Sequence, residues 1–181
     1  MPRAGASDVA GAFLAQSRWL LRTEYPTKIR ACLTMLPAGA LWQRPARECN
    51  AIGNLLLHLD GNVRQWIVSG VGGAADSRER SAEFAAEGGA TSEELIARLD
   101  VTLSEVDAVL ARLAPDDLLQ PRTIQGRDVT VLEAIYHVTE HFGMHTGQII
   151  LMTKVLAPGA IRFYDDAGGL ATERWRDLIQ D

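Results

Sequence analysis

The chain has 181 residues, a formal net charge of −5, and a composition that is 47% hydrophobic and 23% charged. These values are typical of a globular protein with one core, and we predict a single domain over residues 1–181. The acidic balance argues against nucleic acid as a partner, because a protein that neutralises phosphates needs a basic face. We therefore expect a small-molecule substrate or a protein partner.

Three observations predict a cytoplasmic protein with no membrane partner. The first residues, Met1–Ser7, are small and polar, and no apolar segment typical of a signal peptide follows them. No apolar run approaches the roughly 20 residues that cross a bilayer. Cys32 and Cys49 have neither metal-ligand spacing nor the pattern of a disulfide framework, which fits a reducing compartment.

The first half of the chain predicts two long helices. Apolar residues recur at helical spacing over Asp8–Leu36, and Pro26 within this segment predicts a kink or a restart. The second helix is predicted over Asn50–Ser69, with Asn50 as its N-cap and Gly70 at its end. Residues 71–90 are rich in glycine and charge, which predicts a long surface connection.

Capping boxes predict where the third and fourth helices begin. In Thr91-Ser-Glu-Glu94 and in Thr130-Val-Leu-Glu133, the Thr and Glu side chains can each satisfy a free amide of the other residue. The third helix is predicted to end before Pro115, and the fourth to continue to about Leu156. Between them, Ile124–Asp128 is predicted to form a tight turn or a miniature hairpin.

The end of the chain predicts one more element. A short C-terminal helix is expected over Ala171–Gln180, docked through Trp175 and Leu178. Four long helices joined by turns, with little strand signal, favour an all-α fold. We predict an up-down four-helix bundle with a short C-terminal helix.

Three of the four histidines lie in the predicted fourth helix at spacings of four residues. His137, His141 and His145 fall within an arc of about 80°, and Gln148 joins the same arc. An apolar stripe lies directly beside them, formed by Ile135, Val138, Phe142 and Ile149. The histidines are therefore predicted to lie at the border of the core.

Two imidazoles at positions i and i+4 can converge on one metal ion, because such side chains stand one above the other. A third ligand would have to come from another helix, and His58 is the remaining histidine. Three histidines with open coordination positions are typical of a catalytic site. The alternative is that these are hydrogen-bonded residues at the core border. That role is favoured for His137, which lies about 12 Å along the helix from His145.

Two segments resemble the helix motifs of the DinB/YfiT-like superfamily. The second-helix motif is matched by Asn50-Ala-Ile-Gly-Asn-Leu-Leu-Leu-His-Leu-Asp-Gly-Asn-Val-Arg-Gln-Trp66. The fourth-helix motif is matched by His141-Phe-Gly-Met-His-Thr-Gly-Gln-Ile149. The pattern Arg78-x-Arg-x-x-Glu-Phe84 resembles one found in a branch of this superfamily whose function is unknown. The resemblance covers about residues 12–165.

This resemblance implies a four-helix bundle of DinB/YfiT-like type, often a homodimer, with one divalent metal ion on His58, His141 and His145. Zinc or nickel is the expected ion, although iron and manganese also accept imidazole ligands and availability often decides. Characterised relatives include transferases and isomerases that use a low-molecular-weight thiol such as mycothiol, bacillithiol or glutathione. The leading hypothesis is therefore a metal-dependent transferase that joins such a thiol to a small electrophile. A metal-dependent hydrolase and a non-catalytic metal-binding bundle are the alternatives.

Other polar residues near these motifs have two interpretations each. Gln148 is the candidate catalytic residue, which could orient a bound water, a thiol or an imidazole, or could make an interhelical hydrogen bond. Arg78, Arg80 and Glu83 could bind an anionic substrate, but anchoring of the long connection by ion pairs is favoured. Glu133 and Glu140 are candidates for contacts to imidazole N–H groups, or are surface charges without a special role, and the second interpretation is favoured for Glu133.

Overall fold

The computed structural model of the protein describes residues 6–166, 168–169 and 171–174. This part of the chain is mainly helical, with two short two-stranded antiparallel ladders. The α-helices are α1 (Ala6–Trp19), α2 (Tyr25–Thr34), α3 (Ile52–Val63), α4 (Arg80–Ala85), α5 (Ser92–Leu110) and α6 (Val131–Leu156). The strands are β1 (Pro121–Ile124), β2 (Arg127–Thr130), β3 (Tyr164–Asp165) and β4 (Thr172–Glu173). Short 3-10 helices cover Ala40–Trp42 and Pro115–Leu119.

The first long helix is irregular where the sequence predicts it. A π-helical segment, Leu20–Glu24, joins α1 to α2 with helical backbone on both sides, and Pro26 follows at the start of α2. Proline lacks an N–H group, and its ring crowds the carbonyl one turn earlier. The wider π turn accommodates that ring, so the chain stays helical from residue 6 to residue 34.

Helix α3 differs at both ends from its predicted bounds. It begins after Ala51, whose N–H donates to the side-chain oxygen of Asn54 at 3.0 Å, so the prediction of Asn50 as N-cap is wrong. It continues as a π-helical segment over Arg64–Val71, beyond Gly70. A Cβ on Gly70 would lie 2.5 Å from Ile124 Cδ1, so this glycine serves close packing and does not end the helix.

The two predicted capping boxes are confirmed. Thr91 Oγ1 accepts from the Glu94 N–H at 3.2 Å, and Glu94 Oε2 accepts from the Thr91 N–H at 2.8 Å. Thr130 and Glu133 make the same reciprocal pair at the start of α6. Glu133 is thereby occupied at the helix end, in keeping with the favoured interpretation that it has no role beside an imidazole.

The predicted miniature hairpin is also confirmed. Strands β1 and β2 pair Ile124 with Arg127 across the two-residue turn Gln125–Gly126. Both turn residues have positive φ, 53° and 72°, which matches the twist that a two-residue hairpin requires. The hairpin leads directly into α6 at Thr130 and therefore sets where that helix begins.

The predicted C-terminal helix is wrong over its first described residues. Thr172–Glu173 forms a strand that pairs with Tyr164–Asp165, and the N–H of Arg174 donates to the carbonyl of Phe163 at 2.8 Å. Gly168 and Gly169, both with positive φ, lie in the connection between these strands. The predicted docking residues Trp175 and Leu178 lie outside the described residues.

The core lies where the apolar stripes of the long helices meet. Helix α3 contacts both α5 and α6, and α2 packs along α6. The predicted stripe of α6 is buried, and so are the apolar residues at helical spacing on α3 and its continuation, namely Ile52, Leu55, Leu56, Leu59, Val63, Trp66, Ile67, Ile135, Val138, Phe142 and Ile149. This packing turns the histidine-bearing edges of α3 and α6 towards each other. Among the described residues, no helix has both the length and the apolarity that crossing a bilayer requires.

Candidate metal centre

Helices α3 and α6 bring three histidines together. His58 Nε2 lies 3.2 Å from His141 Nε2, and His145 Nε2 lies 3.1 Å from the same atom. Within the described residues this is the one group of three or more His, Cys, Asp or Glu side chains that could hold a metal ion. The i, i+4 spacing on α6 supplies two of the three, as the sequence predicts, and α3 supplies the third.

The outer nitrogens of two of these rings fix where their protons lie. His58 Nδ1 is 2.8 Å from Glu83 Oε2, and His145 Nδ1 is 2.7 Å from Gln148 Oε1. Because both partners are oxygen acceptors, each Nδ1 is the donor, and in the neutral ring Nε2 then keeps its lone pair. Two lone pairs are therefore directed at the ring of His141.

The arrangement fits a divalent ion better than a hydrogen-bonded cluster. A single N–H on His141 Nε2 could satisfy only one of the two facing lone pairs. When Nε2 binds an ion, His141 carries its proton on Nδ1, which is buried and has no hydrogen-bond partner among the described residues. A tetrahedral ion with metal–nitrogen bonds of about 2.0–2.1 Å separates its ligand nitrogens by about 3.3 Å. The distances of 3.1 and 3.2 Å are close to that separation.

The long connection adds a buried ion pair to this centre. Glu83, on α4, accepts from Arg78 Nε at 2.6 Å and from Arg78 Nη2 at 2.9 Å. Arg78 Nη2 also lies 3.1 Å from His58 Nδ1. Each of these two nitrogens is closer to Glu83 Oε2 than to the other, so both donate their protons to the carboxylate. The pair therefore anchors the connection, the interpretation that the sequence favours, while Arg80 lies over the Phe84 ring. The contact of Glu83 with the candidate ligand His58 is not predicted by the sequence analysis.

Burial lowers the pKa of His141 and of His145 and so favours their neutral forms. Desolvation, together with the nearby rings of His145 and His58, lowers the pKa of His141 to about 3. Burial also lowers the pKa of His145. For Glu83, burial alone would raise the pKa, but the hydrogen bonds from Arg78 and His58 outweigh it and hold this pKa below its ordinary value. Neutral imidazole is the form that binds metal.

Metal-free protein is expected to lose stability as the pH falls below about 6.5. The unfolded chain binds a proton at His141 near the ordinary pKa of 6.5, whereas the folded protein holds that pKa near 3. Between these values the unfolded state binds more protons, so the free energy of unfolding falls by up to about 1.4 kcal/mol per pH unit for this group. Urea unfolding in EDTA from pH 7.5 to 5 measures the slope. An equally steep slope in His141→Gln would contradict the assignment.

The other polar residues predicted near the histidine arc of α6 are not part of the three-histidine group. His137 packs on the ring of Trp66 with centroids 4.2 Å apart, in keeping with a place at the core border. Glu140 is exposed on α6, where its charge opposes the lowering of the His137 pKa by burial. Gln148 contacts His145, which is the imidazole-orienting arrangement among its predicted roles.

A cleft of about 320 Å³ begins one helical turn from the candidate ligands. Leu55 precedes His58 by three residues on α3, and Gln148 follows His145 by three residues on α6. Both line the cleft, and the other lining residues are Pro45, Glu48, Cys49, Asn50, Leu151 and Met152. The cleft is mostly apolar, and Gln148 connects it to the histidine cluster.

Comparison with known protein families gives one match. A family model described as "Protein of unknown function (DUF1572)" matches residues 8–163, which include all three histidines. No curated protein matches the chain.

Proposed function

The chain belongs to the DUF1572 family of proteins of unknown function, and from its histidine cluster we propose that it binds one divalent metal ion, zinc or nickel, and acts as a transferase. The reaction would join a low-molecular-weight thiol to a small electrophilic molecule. The proposal includes the fold type, an up-down four-helix bundle of DinB/YfiT-like type. It is supported by the four long helical stretches that pack together, and by the motifs around His58 and His141.

The observation that carries this proposal is the convergence of three Nε2 atoms, on His58, His141 and His145. When bound by three neutral imidazoles, a divalent ion keeps its full charge and acts as a Lewis acid that favours the thiolate form of a thiol. Three protein ligands also leave coordination positions for a small molecule.

The chain's own residues supply orientation and a place for the substrate. Gln148 Oε1 accepts from His145 Nδ1 and so fixes which nitrogen of that ring faces the centre. The cleft beside Gln148, with Leu55, Leu151 and Met152 in its wall, offers apolar surface to the body of an electrophilic substrate.

The proposal is tested on protein produced without a metal-binding tag. Elemental analysis should find about one divalent ion per chain after loading with zinc or nickel. Cobalt-substituted protein should then show a new thiolate-to-cobalt absorption band when glutathione, mycothiol or bacillithiol is added.

Absence of metal after loading would overturn the proposal at its first step. If the absorption spectrum of the cobalt-loaded protein does not change on addition of any of the three thiols, the transferase assignment is overturned. Thiol-independent cleavage of an ester panel by that protein would then indicate a hydrolase. An inert but chelation-sensitive protein would indicate a structural ion.

A further inference from the structure

The connection between α3 and α5 places the carboxylate of Glu83 against His58, one of the candidate metal ligands. We propose that Glu83 is a positioning residue, which sets the tautomer and ring orientation of His58 for metal binding. Gly61 and Arg78 make its position possible. This inference rests on the proposed metal binding and deepens it, since it assigns residues that act on a ligand without touching the ion.

The contact of Glu83 with His58 is short and shielded from water. Glu83 Oε2 lies 2.8 Å from His58 Nδ1, and the two side chains are only 9% and 6% exposed. Charged hydrogen bonds are stronger in such a poorly solvated site than in water. A proton held on Nδ1 leaves the Nε2 lone pair for the ion, and a carboxylate in this place raises the basicity of the ring.

Glu83 is itself held on two sides. Arg78, whose side chain is 4% exposed, donates two hydrogen bonds to the carboxylate and a third to Gln65 Oε1 at 2.9 Å. Asn54 Nδ2 donates to the carbonyl of Glu83 at 3.0 Å, which fixes the backbone of α4 against α3. The charge of Arg78 offsets that of Glu83, so the carboxylate stays ionised despite its burial.

Gly61 explains how the carboxylate can approach α3. It lies three residues after His58 on the same helix, and a Cβ there would overlap Glu83 Oε1 and lie 3.1 Å from Arg78 Nε. Both atoms belong to the ion pair, so a methyl group would force the pair away from the helix. The absence of a side chain at Gly61 is therefore a requirement of the Glu83–His58 contact.

Substitution of Glu83 or of Gly61 is expected to weaken metal binding while all three candidate ligands, His58, His141 and His145, are kept. Loss of a carboxylate behind a ligating histidine lowers metal affinity by about 10–100-fold. We expect Glu83→Ala and Gly61→Ala each to raise the zinc dissociation constant by that factor, measured by competition with a chromophoric chelator. The visible spectrum of the cobalt-loaded variants should also shift, because His58 would no longer be held in one orientation.

The matched control is Glu105→Ala. Glu105 makes a similar pair with Arg64, at 3.0 and 2.8 Å, between α5 and the π-helical segment, and its carboxylate is 42% exposed. No histidine lies in that pair, so the zinc dissociation constant should stay within about twofold of wild type. A loss equal to that of Glu83→Ala would mean that ion pairs act through general stability, and would overturn the inference.

A metal-independent measurement separates this inference from the metal proposal. Nitrogen-15 NMR of metal-free wild type should show His58 protonated on Nδ1, and Glu83→Ala should show a mixture of tautomers. A variant that keeps the single tautomer and the wild-type zinc affinity would overturn the role of Glu83 while metal binding stands. Wild type that binds no zinc but shows the Nδ1 tautomer would overturn the metal proposal instead.

Discussion

Replacement of His141 by alanine is expected to lower the affinity for zinc by about two orders of magnitude or more. His141 occupies the centre of the cluster, since its Nε2 is within 3.2 Å of Nε2 on both His58 and His145. Structural zinc sites with four ligands have apparent binding free energies of about 10–16 kcal/mol, or roughly 3 kcal/mol per ligand. That share corresponds to about a hundredfold in the dissociation constant.

Titration of metal-free protein against a chelator of known affinity measures this change. The control is His137→Ala, one turn earlier on α6, because His137 packs on Trp66 and lies outside the converging group. We expect it to keep zinc affinity close to that of wild type. Equal losses in the two variants would show that the ion does not bind at the three-histidine cluster.

Replacement of Phe142 by alanine is expected to destabilise the protein by about 3–5 kcal/mol, the range for removing a buried aromatic ring. Phe142 is 1% exposed and stacks on Tyr25 with ring centroids 5.7 Å apart. Its removal would leave a cavity between α2 and α6 beside the candidate ligands. Since small proteins are stable by about 5–15 kcal/mol, this single change removes a large share of the total.

Urea unfolding in EDTA measures this effect without any contribution from bound metal. Tyr136→Ala is the matched control, because Tyr136 is another aromatic residue on α6 but is 63% exposed. Its free energy of unfolding should change by less than about 0.5 kcal/mol. A similar loss in both variants would mean that α6 packs differently from the arrangement described.

Local sequence patterns were sufficient for most of the helices and for part of the site. The capping boxes at Thr91 and Thr130 correctly mark where α5 and α6 begin, because each box depends on residues three apart. The spacing of His141 and His145 likewise determines that both rings lie on one side of α6. His58 was the remaining candidate for a third ligand, and the family resemblance supported its placement opposite them, since periodicity alone does not show which edges of two helices meet. The homodimer stays a prediction.

The features that sequence reasoning missed depend on contacts between distant segments. Glu83 is 25 residues from His58, and helical periodicity in residues 71–90 does not indicate which carboxylate turns inward. The Arg-x-Arg-x-x-Glu-Phe pattern is the available signal, since it places an acid next to an aromatic residue in a polar segment. Gly70 reads as a helix end, but it is needed to accommodate Ile124 from a hairpin 54 residues later.

The π-helical continuation of α3 affects how this chain tolerates changes in length. Hydrogen bonds in Arg64–Val71 span five residues instead of four, so the segment holds more residues than α geometry needs. Deletion of one residue there can be absorbed by a return to α-helical turns, with the flanking residues kept in place. Deletion between Asn54 and His58 would instead rotate His58 by about 100° relative to the start of α3. Gaps among related sequences should therefore fall after Val63 and spare the turn that carries His58.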